Sequence, residues 1–373
     1  MKRFLAPAGL MGLAMALASP LMAGPSIGGV TSKNLEYVAH VAISIDGVGG
    51  RVVDDYFYTS DQNKIMIFDI STPRDPSLVG VFPMPQELML GREDLDTNGK
   101  ILIVPHRAGD ELFIIDVEEK SNPRLIASLL GAGQHTSSCV LDCRWAYGSG
   151  GAIVDLRDPT HPKLVEEKWS DVTPAGPGHD VTEVAPGLVL TAQQPIAFLD
   201  ARRDPKHPKL LGLGPNRDVR FIHATAWANH GRDHMFLAGG ETVRTRCEAA
   251  SGAFMTWDAS DWRRTHTFRM IDQHRMTGWG AYLDGNPPVT VNGCSSHWFS
   301  LHPGFRNGGL VAGAAFEHGT RLLRIDSRGR IKEVGWFVPW GGNTSAAYWI
   351  DGRTIYAVDY NRGIDILEYT GGL

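Results

Sequence analysis

Residues 65–69 read Ile65-Met66-Ile67-Phe68-Asp69, and this short stretch decides the fold because it recurs along the chain. It leads into a turn that contains Thr72-Pro73 and Asp75-Pro76, and a second apolar run follows at residues 78–82. Further copies of the apolar run, the clearer ones followed by a proline turn, contain Asp116, Asp155, Asp200, Asp258, Asp326 and Asp365. These acidic residues lie 39 to 68 residues apart, and a unit of about 45 residues has the size of one β-propeller blade.

Each unit predicts four strands. β-Branched and aromatic runs bounded by proline, glycine and aspartate are typical of strands joined by turns, and two more such runs precede each copy, as at residues 294–300 and 310–314. We therefore predict an all-β fold, a seven-bladed β-propeller with four-stranded blades. The last blade lacks one strand, and we expect the N-terminal run at residues 35–43 to join it and close the ring. A β-solenoid or two stacked sandwiches are the alternatives.

The N-terminus indicates export. A basic start at residues 1–3, an apolar run at residues 10–18 and small residues before position 24 predict a signal peptide over residues 1–23. The apolar run is too short to span a bilayer, so we expect a periplasmic or secreted protein with no membrane span and one propeller domain over residues 30–373. The net charge is −5 without a Lys/Arg block, and we expect a small-molecule substrate and no nucleic acid.

The four cysteines fit an oxidising compartment. Cys139 and Cys143 lie on the two sides of one tight turn, whereas Cys247 and Cys294 are each next to an inner strand. We predict the disulfides Cys139–Cys143 and Cys247–Cys294. A metal site built from cysteines is the alternative, although the two pairs lie about 100 residues apart.

Four consecutive blades are predicted to begin their innermost strand with histidine. In a propeller these strands start at one mouth of the axial channel, so the histidine side chains converge there. The four histidines are His135, His179, His223 and His297. Neutral imidazoles on neighbouring rigid strands are suitable ligands for a divalent transition metal, whether Fe, Mn, Cu or Zn. A polar pocket without a metal and a purely structural use of these residues are the alternatives.

The loops that follow the second strands carry polar residues to the same mouth. They are Asp61, His106, Gln193, Glu241, Glu317 with His318, and Asp359. Glu241 and Glu317 are candidate catalytic residues, because a carboxylate beside a metal can act as a base or orient a histidine ring. Asp180 could orient a ring as well. Arg362 is a third catalytic candidate that could clamp a carboxylate or phosphate, or could equally pair with Asp359.

Other features leave the chemistry open. The sequence holds no nucleophile elbow, no zinc-protease helix motif, no Walker loop and no dinucleotide fingerprint. The insertion between Met276 and Asn292 enters the sixth blade from the mouth side, and it forms either a lid or a long surface loop.

The repeat resembles the LVIVD repeat of exported bacterial and archaeal β-propellers, through Ile67-Phe68-Asp69 and Ile114-Ile115-Asp116. Other stretches look like the secreted members, including those at residues 135–144, 178–181, 294–297, 319–321 and 359–363. The resemblance implies the fold but no settled activity. By fold analogy with propellers that hold metals through channel histidines, we expect a metal-dependent lyase or oxygenase acting on a small organic or saccharide substrate. A non-catalytic cell-surface binding or scaffold propeller is the alternative.

Overall fold

The structure is a computed structural model, and it describes most of the chain. The described residues are 28–43, 48–61, 63–85, 94–174, 176–215, 221–242, 252–276 and 295–372. The predicted signal peptide, the pair Cys247 and Cys294, and the insertion from residue 277 to residue 292 lie outside them.

Seven antiparallel sheets form the molecule, and they confirm the predicted seven-bladed propeller. Blade one holds β3 (Gly50–Val53), β4 (Tyr56–Ser60), β5 (Lys64–Asp69) and β6 (Ser77–Pro83). Blade two holds β7 (Asp96–Thr97), β8 (Ile101–His106), β9 (Glu111–Asp116) and β10 (Arg124–Leu130). Blade three holds β11 (Ser137–Val140), β12 (Trp145–Gly148), β13 (Ile153–Asp155) and β14 (Lys163–Leu164).

The next three blades follow the same order of strands. Blade four holds β15 (Asp180–Ala185), β16 (Leu188–Ala192), β17 (Ala197–Asp200) and β18 (Lys209–Leu213). Blade five holds β19 (Ile222–Ala226), β20 (Met235–Gly240), β21 (Phe254–Asp258) and β22 (Arg269–His274). Blade six holds β23 (Phe299–Leu301), β24 (Gly309–Ala314), β25 (Thr320–Ile325) and β26 (Ile331–Pro339). In the described ranges, strands are also connected by a 3₁₀ turn at Trp169–Val172, an α turn at Trp262–Thr265, and a turn at Ala228–Gly231 in which Asn229 and His230 have positive φ angles.

The repeated apolar run forms the third strand of each of these blades. In β5 the four residues between Lys64 and Asp69 are all buried, because neighbouring blades cover both faces of the strand. An uninterrupted apolar run is the pattern expected of such a strand, in contrast to the alternation of a half-exposed one.

The repeated aspartate has a local role that explains its place at the end of the run. The Asp69 carboxylate accepts a hydrogen bond from the backbone N–H of Ser71, two residues further on. The same contact recurs in blades two to six from Asp116, Asp155, Asp200, Asp258 and Asp326. An aspartate that accepts from the N–H two residues later stabilises a turn, so the motif couples a buried strand to the turn that reverses the chain.

The ring closes as predicted. In blade seven, β27 (Thr344–Trp349), β28 (Thr354–Asp359) and β29 (Gly363–Tyr369) are completed by β2 (Leu35–Ala42), which pairs antiparallel with β29 from Leu35↔Tyr369 to Ala42↔Gly363. A short strand that the sequence did not predict, β1 (Gly29–Thr31), adds a fifth strand to blade six beside β26. Three residues with no copy of the repeat give no periodic signal, so this strand could not be anticipated.

One predicted disulfide is present. Cys139 is bonded to Cys143, across a turn in which Leu141, Asp142 and Cys143 all have positive φ angles between 54° and 60°. Such left-handed conformations are unfavourable for residues other than glycine, so the cross-link holds a turn that the backbone alone would not favour. Among the described residues, no helix has the length and apolar character needed to cross a bilayer.

A buried ion-pair network lies beside the closing strand pair. Arg362 donates to Asp365 at 2.7 Å, and the guanidinium also donates to the carbonyl oxygens of Gly28 and Trp340. His40 on β2 lies with Nδ1 2.9 Å from the same Asp365 carboxylate. The side chains of Arg362 and Asp365 are each 1% exposed. Asp365, three residues further along the chain on β29, is therefore the ion-pair partner of Arg362, where the sequence had suggested Asp359.

We expect Asp365→Ala to destabilise the fold by about 3–5 kcal/mol, because it leaves the Arg362 guanidinium buried without its counter-ion. Denaturant unfolding followed by circular dichroism measures this. Asp261→Ala is the matched control, since Asp261 pairs with Arg264 in a solvent-exposed bridge and should leave the unfolding midpoint unchanged. Equal midpoints for the two variants would contradict the role given to the network.

Asp359 caps the turn between β28 and β29, and its carboxylate accepts from the N–H groups of Asn343 at 2.7 Å and Asn361 at 2.9 Å. Burial raises the pKa of this carboxyl group to about 6, against the lowering effect of those hydrogen bonds. The ordinary pKa of this group is 3.8, so between that pH and about pH 6 the folded state binds a proton that the unfolded state has lost. This contribution to stability therefore decreases as the pH rises.

We expect Asp359→Asn to remove that dependence. The difference in unfolding free energy between variant and wild type should move in favour of the variant by roughly 2 kcal/mol from pH 4 to pH 7. Denaturant titrations of both proteins at the two pH values give the difference. A difference that is the same at both values would show that Asp359 does not titrate as its burial requires.

Candidate metal centre at the channel mouth

A cavity of about 610 Å³ opens at the channel mouth where the inner strands begin. Its walls come from blades two to five, and they include Arg107, Gln134, His135, Ser149, His179, Gln193, Gln194, Phe221 and Glu241. Main-chain segments at Gly133, Gly150 and Gly178 complete them. The cavity thus has both polar and apolar walls and lies on one side of the mouth.

The four predicted histidines lie side by side along this mouth. Their ring centroids are 4.9 Å apart for His135 and His179, 4.1 Å for His179 and His223, and 4.0 Å for His223 and His297. His223 and His297 are fully buried and His179 is 8% exposed. The row follows the order of blades three to six, because each residue lies at or just before the start of its inner strand.

Backbone carbonyl groups of neighbouring blades orient two of the rings. The Nδ1–H of His179 donates to the carbonyl oxygen of His223 at 2.9 Å, and the Nδ1–H of His297 donates to the carbonyl oxygen of Ser345. A carbonyl oxygen only accepts, so each Nδ1 carries the proton, and in the neutral ring the lone pair is on Nε2. This is the arrangement in which metal-binding histidines are commonly held.

Glu241 joins two of the histidines in a compact group. One ligand atom from each of His179, His223 and Glu241 lies within 4.8 Å of the other two. Glu241 follows β20 directly, and it is half-buried at the cavity wall. His135 and His297 extend this group along the row on either side.

Aromatic rings enclose the row. The Trp298 ring centroid is 4.7 Å from that of His223, and Phe316 lies 4.6 Å from His297. The Phe221 ring centroid is 5.2 Å from that of His179, and Phe221 is 38% exposed at the entrance. The row thus has a largely apolar floor, and it borders the cavity at His135 and His179.

The other candidate residues have different surroundings. Glu317 is 8% exposed and His318 is 1% exposed in the loop after β24, and burial lowers the pKa of His318 to about 4, with Arg321 acting in the same direction. Arg362 belongs to the closure network described above. The described walls of the cavity include none of these three.

Asp180 is next to His179 in the chain but contributes to a separate cavity of about 410 Å³ that also contacts Arg51 and Tyr348. It is 1% exposed and accepts a hydrogen bond from Ser138 at 3.1 Å. Burial raises its pKa to about 6, although Arg51 and His179 lower it.

Sequence reasoning missed Arg107 and Phe221 as parts of the site. Arg107 comes immediately after His106, which the strand pattern had placed at the mouth, and Phe221 is two residues before His223. Both residues are thus one or two positions away from a residue that the sequence placed at the mouth. Extending each predicted mouth segment by one or two positions would have identified both.

Comparison with known proteins supports the fold. A family model described as the LVIVD repeat matches residues 51–83, which cover blade one. No curated protein matches the chain significantly. Among solved structures, the chain is similar to the RRP9 WD40 repeats, with a TM-score of 0.59, 12% identity and coverage of 92% of this chain and 98% of that one.

Two further structures have the same level of similarity. U3-55K gives a TM-score of 0.58 at 11% identity, with 93% of this chain and 100% of that one covered. The Cps50 (Swd1) β-propeller domain of Myceliophteria thermophila gives 0.61 at 11% identity, with 90% and 99% covered. At such low identity the three similarities concern the fold alone. The chain is thus a seven-bladed β-propeller that matches the LVIVD repeat model in its first blade.

Proposed function

We propose that the channel mouth binds one divalent transition metal ion, and that the protein is an exported metal-dependent enzyme acting on a small organic or saccharide substrate. The observation that carries the proposal is the group of His179, His223 and Glu241, whose ligand atoms lie within 4.8 Å of one another. All three residues come from blades four and five, at or beside the ends of strands.

The donor set favours Zn or Fe over Mg or Ca. Two imidazoles and one carboxylate form the set found in catalytic zinc sites and in non-haem iron oxygenases, where further coordination positions stay open for water or substrate. Glu241, which the sequence suggested as a base or an outer residue, is better placed as a ligand. His135 and His297 flank the group and supply a candidate fourth ligand on either side.

The surroundings of the histidines suit this role. The carbonyl oxygen of His223 holds the His179 ring through Nδ1, and such contacts fix ring orientation and increase ligand basicity. The buried floor around His223 and Trp298 excludes solvent from one side, whereas the cavity gives access from the other. A metal bound here would make a bound water acidic or polarise a substrate oxygen, as lyase or oxygenase chemistry requires.

Two features support an exported location. The basic and apolar start of the chain has the pattern of a signal peptide. The Cys139–Cys143 disulfide is of a kind that persists in oxidising compartments and is rare in the cytosol.

Metal analysis of the purified protein tests the proposal. We expect about one equivalent of a single transition metal per chain, and its loss in His223→Ala and in Glu241→Gln, because each change removes a ligand. Glu241→Gln keeps the shape of a half-buried side chain, so it separates metal loss from misfolding of the His223 variant. His161→Ala is the matched control, since His161 is 78% exposed and contacts Asp158 in an outer turn.

Thermal unfolding adds a second measurement. The metal should raise the melting temperature of the wild type and of His161→Ala by binding only the folded state, and it should not raise that of the two site variants. A folded wild type that binds no transition metal would contradict the proposal and favour the non-catalytic scaffold function. Metal content that persists in both site variants would show that the metal binds elsewhere in the protein.

A further inference from the structure

Gln193 is a buried amide at the wall of the mouth cavity. It is 4% exposed, follows β16 directly, and contributes to the same cavity as His179 and Glu241. Within the described part of the chain, neither its Nε2 nor its Oε1 has a hydrogen-bond partner. Burying an amide without partners is unfavourable, so the fold bears a cost at this position that packing does not explain.

The neighbouring backbone holds Gln193 beside the histidine row. The N–H of His179 donates to the carbonyl oxygen of Ala192 at 2.8 Å, which aligns the start of β15 with the end of β16. Gly178 lies opposite, and a side-chain carbon there would be 2.9 Å from Cβ of Gln193 and 2.7 Å from the Ala192 oxygen. A glycine at this position therefore lets the chain pass close to the Ala192 backbone and the first carbon of the Gln193 side chain.

Arg107 gives the same cavity a positive charge. It is exposed at the wall formed by blade two, and it forms no ion pair with any residue in the described ranges. A divalent ion held by neutral histidines and one carboxylate would add a net positive charge. Both features favour an anionic ligand, and arginine is well suited to bind a carboxylate through two parallel hydrogen bonds.

We infer that the substrate of this site is a small hydroxycarboxylate, a class that includes sugar acids. Its carboxylate binds Arg107, and a hydroxyl group near it meets the Gln193 amide, where Oε1 accepts the hydroxyl hydrogen and Nε2–H donates to a ligand oxygen. An amide offers both functions together, and a hydroxyl group needs both. The inference rests on the proposed function in that it assigns the ligand of the same cavity.

Calorimetric binding of three matched probes tests the chemistry: gluconate, sorbitol, which lacks the carboxylate, and hexanoate, which lacks the hydroxyl groups. We expect the wild-type protein, loaded with its metal, to bind gluconate about tenfold or more tightly than either analogue, because each analogue leaves a polar group of the site unpaired. Equal binding of gluconate and sorbitol, or of gluconate and hexanoate, would overturn the inference.

Two variants assign the recognition to residues. Gln193→Met should weaken gluconate binding about tenfold or more and leave hexanoate binding unchanged, whereas Arg107→Gln should weaken both acids. Gln273→Met is the matched control, because Gln273 is exposed on the outer strand β22 and should bind like the wild type. Unchanged gluconate binding in Gln193→Met would overturn the role of the amide.

Stability without ligand separates recognition from a structural role. If the amide is held for a ligand, Gln193→Met removes two unpaired polar atoms and should leave the melting temperature unchanged or higher. A clear decrease would overturn the inference, since it would show that Gln193 supports the fold.

The metal content of the same samples keeps the two proposals apart. Full metal content with no probe selectivity would overturn the substrate class and leave the metal site standing. A metal-free protein that binds gluconate through Gln193 and Arg107 would overturn the metal site and keep the substrate class.

Discussion

The pairing of β2 with β29 is the interaction on which the rest of the structure depends. Each blade packs against two neighbours only while the ring is closed, and the histidine row crosses four successive blades. The network of Arg362, Asp365 and His40 places buried charges beside this closing pair. Because such charges are tolerated only when they are paired, the network favours the closed ring over alternatives that separate these residues.

The same hydrogen bonds that join blades also prepare the site. The hydroxyl of Thr136 in the third blade donates to the carbonyl oxygen of His179, and the His179 ring donates in turn to the carbonyl oxygen of His223. The His297 ring reaches the carbonyl oxygen of Ser345 in blade seven. Each contact stabilises an interface between blades, and the two made by the rings also set their tautomers, so the rigidity of the fold and the order of the site have one physical origin.

The repeat allowed the fold to be predicted from sequence, because a buried strand and an aspartate-capped turn recur with blade-like spacing. The same template places the inner-strand histidines, since it assigns each residue of a strand a position along the channel axis. It does not specify which residues meet between blades. For that reason the added strand at Gly29–Thr31 and the lining role of Arg107 needed coordinates. Contacts between segments that are far apart in the sequence produce no local sequence pattern from which they could be predicted.

The mouth is not used uniformly around the ring, and this asymmetry bears on function. At blades one and seven the residues at or just after the ends of the second strands, Asp61 and Asp359, accept backbone hydrogen bonds and serve as turn caps. At blades four and five the corresponding residues, Gln193 and Glu241, line the cavity beside the histidines. A channel filled only for stability would have no reason to place its polar side chains in this way. Structural caps on one part of the rim and converging donors on another are what a binding site built into a stable ring requires.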